Sequence, residues 1–377
     1  MKKIIIGIVA VVLIVVGISY FSKNSSQPTS QEPIKIGFIG PLSGDAATYG
    51  ELIKKATMLA VDEINSSGGV NGKEMEVIYE DGKCSGKDAT SAARKLIDID
   101  KIKVITGVTC SGELLSIAPV TEQNEVIVLS PAASSPTITN AGDFIFRNNP
   151  SDADGGRVLA GLIIQKYKKV AIISENTDYA QAFKNVFIEN FKNAGGIVIA
   201  DEDFIPGTKD FRSIVSKIKP LDFEALLINP QVESAAGTIM NQARELGITA
   251  PFYGNIALGG SKVLEIAGKN AEGTILTDIP GLKQDNQKAQ KFLADFKEKY
   301  GPLSFEFYVG AAYDDIYILK EAISSIGMDT KKIRDYLYSL KDYKGVIGSY
   351  GFDKNGDLTG ISSVVKQVVN GKLVELK

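Results

Sequence analysis

Residues 60–81, AVDEINSSGGVNGKEMEVIYED, and residues 187–204, FIENFKNAGGIVIADEDF, share one unit: an amphipathic helix, a Gly-Gly turn and an apolar strand. In the first copy the helix spans Glu51 to Asn65, because Ile53, Ala56, Ala60 and Ile64 recur at helical spacing. Gly and Asn then supply the left-handed conformations of a helix end and turn. Outward from these units the same alternation continues. IKIGFIG (34–40) reads as a strand, Asp88 to Ile99 as a helix, and VITG, VIVLSP and FIFRNN as further strands. From about Ser151, KKVAIISE opens a second series that runs through ALLINP, a helix from Glu233, PFYGN and TILTDIP. Strands alternating with helices of this length imply parallel sheets covered on both faces. The fold class is therefore α/β, with two doubly wound, Rossmann-like lobes.

The C-terminal portion adds helices at Asn286 to Tyr300, Phe307 to Ile326 and Asp329 to Leu340. Strands YGFD and SVVKQVV are expected around the turn KNGD.

Lys2 and Lys3 precede an uncharged run from Ile4 to Phe21. That run is long enough to cross a membrane, with the basic end inside and the rest exported. Residues 1–21 are expected to be an uncleaved anchor, a cleaved signal being the alternative, and residues 22–33 a polar linker. The protein would then be extracytoplasmic, periplasmic or at the cell surface, and tethered to the cytoplasmic membrane. In an oxidising compartment Cys84 and Cys110 are most simply read as a disulfide, two unpaired thiols being the alternative.

Composition excludes several function classes. Lys and Arg number 42 against 45 Asp and Glu, a net charge of -3, and beyond the first residues no basic block offers a nucleic-acid surface. The chain has no His and only two Cys, so His-dependent acid–base steps, Cys–His pairs and the common zinc sites are absent. No metal and no cofactor is expected.

In open parallel sheets, ligands bind beyond the carboxyl ends of the strands. Five stretches lie there: Gly40 to Gly50, Thr109 to Glu113, Ser130 to Pro136, Glu175 to Gln181 and Asn229 to Ser234. A hydrolase elbow needs Gly two residues before its nucleophile, where Cys110 has Val108 and Ser111 has Thr109. GPLSGDAATYG matches neither the phosphate-loop nor the dinucleotide pattern. No catalytic residue is assigned, and the chain does not read as an enzyme.

The loops instead offer N–H groups at helix starts together with hydroxyls, which suit a carboxylate. Ser111 and Ser134 are helix caps or ligand contacts on this reading. Tyr49 and Tyr179 occupy equivalent loops of the two lobes and either close over a ligand or pack as aromatics. Gln231 is an uncharged hydrogen-bonding candidate. In the helical sequence Tyr313-Asp314-Asp315, one carboxylate is a candidate to face the cleft.

At these residues the chain resembles the branched-chain amino acid (Leu/Ile/Val-binding) substrate-binding proteins of ABC transporters. The resemblance rests on IKIGFIGPLSGDAATYG, AVDEINSSGGVNGKEMEVIYED, GVTCSGELLSIAPV, VLSPAASSPTIT, FRNNPSDADGG, DYAQAF, KDFRSIVSKIK and FDKNGDLTG, in family order. It implies a type 1 periplasmic-binding-protein fold, with crossings near Asn149, Asp278 and Val346. Residues 34–149 plus 279–346 would form one lobe and 150–278 plus 347–377 the other.

The resemblance also implies a Cys84–Cys110 disulfide and ligand contacts at Tyr49, Ser111, Ala132, Ala133, Ser134 and Tyr179. Gln231, Asn255 and Asp314 complete the candidate set. The implied function is capture of an amino acid, organic acid or amide by a monomer that delivers it to an ABC permease; a sensor signalling to a membrane partner is the alternative. Such binders pair the ligand's ammonium with an acid after the strand resembling PFYGN. Here that loop reads Tyr253-Gly254-Asn255-Ile256, so either Asp314, Asp178 or Glu233 substitutes, or the ligand has no ammonium.

Overall fold

The computed structural model describes residues 32–376. The expected anchor and all of the linker except Glu32 and Pro33 lie outside the described residues. Among those described, no helix is long and apolar enough to cross a membrane.

The first sheet comprises β1 (Ile34–Gly40), β2 (Met75–Asp81), β3 (Val104–Thr106), β4 (Ile127–Ser130) and β5 (Ile145–Arg147) in the order β2-β1-β3-β4-β5. Every pairing in it is parallel. Its central strands are continuous apolar runs because helices cover both faces. One covering helix, Ala47–Ser66, buries Ile53, Ala56, Ala60 and Ile64, the stripe its sequence spacing implies. It ends at the Gly-Gly turn, where Gly69 has a φ of +72° and a Cβ would meet the Lys73 carbonyl oxygen at 2.1 Å. Only glycine fits there.

The second sheet repeats the arrangement with β6 (Lys169–Glu175), β7 (Ile197–Phe204), β8 (Ala225–Asn229), β9 (Phe252–Gly254) and β10 (Ile275–Asp278). The order β7-β6-β8-β9-β10 matches that of the first five strands position for position. In both sheets the order reverses beside the first strand, between β1 and β3 and between β6 and β8. That reversal opens a crevice at the strands' carboxyl ends.

The helices Gln287–Tyr300, Glu306–Ile326 and Thr330–Ser339 return to the first sheet. Phe292, Phe296, Ile316, Leu319 and Leu337 share its core with Ile36 and Phe38. Two hydrogen-bonded pairings follow, β11 (Tyr343–Lys344) with β12 (Ser349–Phe352), and β12 with β13 (Leu358–Thr359) across the Asn355-Gly356 turn.

β14 (Val364–Val369) does not pair with β12, contrary to the expectation for SVVKQVV. It lies antiparallel to β10 and to β15 (Lys372–Glu375), joined to β15 by an Asn370-Gly371 turn with both φ positive. Tyr350, Phe352 and Leu358 are buried in the first body's core, and Arg147 pairs with Asp357 at 2.6 Å. These contacts hold 349–359 to the first sheet. β14 and β15, by contrast, belong to the second sheet.

Candidate functional site

β3 leads into the helix Ser111–Gln123 through Gly107-Val108-Thr109-Cys110. Gly107 has a φ of +78°, and a Cβ there would lie 2.2 Å from the Phe38 ring, so the bend requires glycine. Cys110 is bonded to Cys84, with Cα atoms 5.4 Å apart. The buried Glu113 carboxylate accepts from the N–H groups of Cys84 at 2.9 Å and Cys110 at 3.1 Å, joining both ends of the bridge to the helix start. Burial raises the Glu113 carboxyl to about 7.

The loop after β4 is anchored to this turn. Ser130 Oγ donates to the Val108 carbonyl at 2.6 Å, and Ser111 Oγ accepts from the N–H groups of Ser134 and Ser135 at 3.3 and 3.1 Å. Ser134 Oγ donates to Asp152 Oδ2 at 2.7 Å, while the fully buried Arg147 donates to the Ser135 carbonyl at 2.7 Å. The loop's backbone is thereby fixed from three sides.

On the second body, Tyr179 lies in the first turn of the helix Asp178–Asn193, capped by Thr177. Gln231 follows β8. Its N–H donates to Glu175 Oε2 at 2.7 Å, and its Nε2 reaches across to Cys84 Sγ at 2.7 Å.

These ends face one another around a cavity of about 510 Å³, the open solvent at its mouth included. Tyr49, Cys110, Ser111, Ala132, Ser134, Tyr179 and Gln231 line it. Thr109, Ala46, Ile256, Ala257, Phe305 and Tyr308 complete the wall; the first three lie in loops named from sequence, whereas Ala257, Phe305 and Tyr308 were not singled out. Phe305 and Tyr308 begin the helix at Glu306, where aromatic residues read as core. Phe305 adopts a left-handed φ of 55° and packs on Tyr49 with ring centroids 4.5 Å apart. No periodic signal marks such a position.

Burial pushes the hydroxyls of Tyr49, Tyr179 and Tyr308 well above their ordinary value, and negative neighbours add to the effect. Each remains a protonated donor. The Tyr179 hydroxyl is buried and has no hydrogen-bond partner among the described residues.

Three candidates stand outside the wall. Ala133 packs into the core beneath its loop and donates its N–H to Ser130 Oγ at 3.1 Å. Asn255 ties the β8 and β9 ends together, donating to Asn229 Oδ1 at 2.7 Å and the Pro230 carbonyl at 2.8 Å. Asp314 does not face the cleft. Its carboxylate is fully enclosed and accepts from Val346 N–H (2.8 Å), Ile347 N–H (3.2 Å) and the Tyr350 hydroxyl (3.0 Å), because the helix face bearing it packs on the returning chain. Glu233 also turns away, accepting from Lys262 N–H at 2.8 Å.

A family model described as periplasmic binding protein matches residues 33–371. A leucine-, isoleucine-, valine-, threonine- and alanine-binding protein of Pseudomonas aeruginosa is 28% identical over 90% of this chain and 91% of its own. The solved leucine binding protein of Thermotoga maritima has a TM-score of 0.83 at 29% identity, covering 91% of this chain and 98% of that one. The branched-chain amino acid transporter substrate binding protein of Streptococcus pneumoniae, solved in complex with isoleucine, has a TM-score of 0.81 at 30% identity, covering 92% and 100%. With a match of that extent over a repeated α/β architecture, the chain belongs to the periplasmic binding protein family.

Proposed function

We propose that the protein is an extracytoplasmic solute receptor that captures a small carboxylate-bearing metabolite between its two bodies and delivers it to an ABC permease by hinge closure. One observation carries the reading. The unpartnered Tyr179 hydroxyl of the second body and the helix start at Ser111 of the first line the same cavity. A helix start carries N–H groups without intrahelical partners and a positive dipole end, so it favours an anionic or strongly accepting group. An enclosed donor without a partner is costly unless a ligand supplies an acceptor.

The ligands in the relatives' names, leucine, isoleucine, valine, threonine and alanine, are small carboxylates and agree with this chemistry. Among the described residues the Ser111 hydroxyl has no base beside it, its hydrogen-bond partners being the N–H groups of Ser134 and Ser135, which favours capture over turnover. The bodies that close are 34–147 with 279–359, and 152–278 with 364–375. Residues 1–21 tether them, and the receptor acts as a monomer. Titration calorimetry against a panel of amino acids and small organic acids tests the reading. Heat of binding with micromolar or tighter affinity for at least one is expected, and a folded protein that binds none of them sinks the uptake role.

A further inference from the structure

The wall of the cavity contains no charged side chain. Its polar groups are three tyrosine hydroxyls, Ser111, Ser134, Thr109 and the Gln231 amide, and the remaining surface is Ala46, Ala132, Ile256, Ala257, Phe305 and the disulfide. The hydroxyl of Thr109 is already donated, to the Gly107 carbonyl at 2.8 Å. That of Ser134 is donated to Asp152. Ser111 accepts two N–H groups, which leaves its own hydrogen free to donate. Inward the wall therefore presents the donors of Ser111 and the tyrosines and, from Thr109, Ser134 and the Gln231 side-chain carbonyl, neutral acceptors, but no anion.

Four carboxylates act through their charge on its tyrosines, and each is engaged elsewhere. Asp152 accepts from Ser134, Glu175 from Gln231 N–H, and Glu233 from Lys262 N–H, while Asp278 pairs with Lys366 at 2.8 Å. None of them lines this cavity, although Asp278 lines, with Glu306, the adjoining one that shares Ile256, Phe305 and Tyr308 with it. Two loop carbonyls each accept one side-chain donor, Ala132 from Asn149 Nδ2 and Pro230 from Asn255 Nδ2. An ammonium group enclosed here would meet neutral acceptors only, with no anion in the wall to balance its charge, a costly burial.

We infer that this receptor selects ligands without an ammonium group: an apolar body bearing a single carboxylate or primary amide that accepts from Ser111, Tyr179 and the helix start. The inference rests on the solute-capture reading and narrows its substrate class. The carboxylate and amide sources share the same acceptor oxygen and are separated by the test.

Three carbon skeletons of rising size provide matched sets for titration calorimetry on the full chain: alanine, propanoate and propanamide; leucine, 4-methylpentanoate and 4-methylpentanamide; phenylalanine, 3-phenylpropanoate and 3-phenylpropanamide. For at least one skeleton the acid or the amide should bind at least about tenfold more tightly than the amino acid, because the same contacts form without a buried ammonium. Tighter binding of the acid than of the amide assigns the carboxylate, and the reverse assigns the amide. An amino acid binding as well as or better than both partners on every skeleton that binds overturns the inference and leaves solute capture standing. Absence of binding throughout, with the protein folded, removes the capture reading and the inference together.

Discussion

Tyr179 and Asp314 are both polar residues on helices near the crevice, and their surroundings separate them. The Tyr179 hydroxyl is buried without a partner at the cavity wall, whereas every contact of the Asp314 carboxylate is internal. Tyr179→Phe deletes one donor and keeps the ring, so ligand affinity should fall about three- to tenfold while thermal stability holds or rises slightly. Calorimetry alongside a melting curve checks both, and unchanged affinity would remove Tyr179 from the ligand's contacts. Asp314→Ala leaves two main-chain N–H groups and the Tyr350 hydroxyl without their acceptor. The expected loss is about 3 kcal/mol of stability or more, read from denaturant unfolding. A loss under about 1 kcal/mol would show that those donors find other partners.

Among the elements, the Cys84–Cys110 bridge and the Glu113 carboxylate fasten the same turn, one by covalent closure and the other by two N–H contacts. The bridge spans a sequence separation of 26, which in the chain-entropy model corresponds to about 3.5 kcal/mol. The double variant Cys84→Ser with Cys110→Ser should lose stability of that order, and a loss near zero would mean that Glu113 alone sets the turn.

Sequence made some elements readable and hid others. β1 occupies 34–40 as its apolar run suggests, and Gln287–Tyr300 begins one residue from the expected start, because burial on both strand faces and helical periodicity are local patterns. The C-terminal pairing was not readable. SVVKQVV bonds to β10, some 90 residues earlier, and local pattern carries no information about so distant a partner. The site divides in the same way. Loop residues at strand ends, such as Ser111, Tyr179 and Gln231, follow from the rule for open sheets. Phe305 and Tyr308 reach the wall only because a left-handed residue turns the start of their helix toward it.

Across the whole molecule, buried carboxyls set the dependence of stability on pH. Burial raises Glu113, Asp152 and Asp314 each to about 7, against donors that pull the other way, and holds Asp315 well above its ordinary value. A carboxyl raised by folding keeps its proton in the native state over a range where the unfolded chain has lost it. The native state then binds more protons, so its contribution is fully present below the unfolded pKa and declines as pH rises through about 7. The carboxyls held low, Asp81, Asp88 and Asp342, lose their contribution only in more acid solution, below that window. Stability should therefore fall between about pH 5 and pH 7.5, by up to about 1.4 kcal/mol per pH unit for each raised group. Asp314→Asn cannot ionise and should flatten the slope, although it is less stable at pH 5 than the parent. Urea unfolding at half-unit steps of pH reads both chains directly. A parent whose stability rises across that interval would mean that the donors around these carboxylates outweigh their burial.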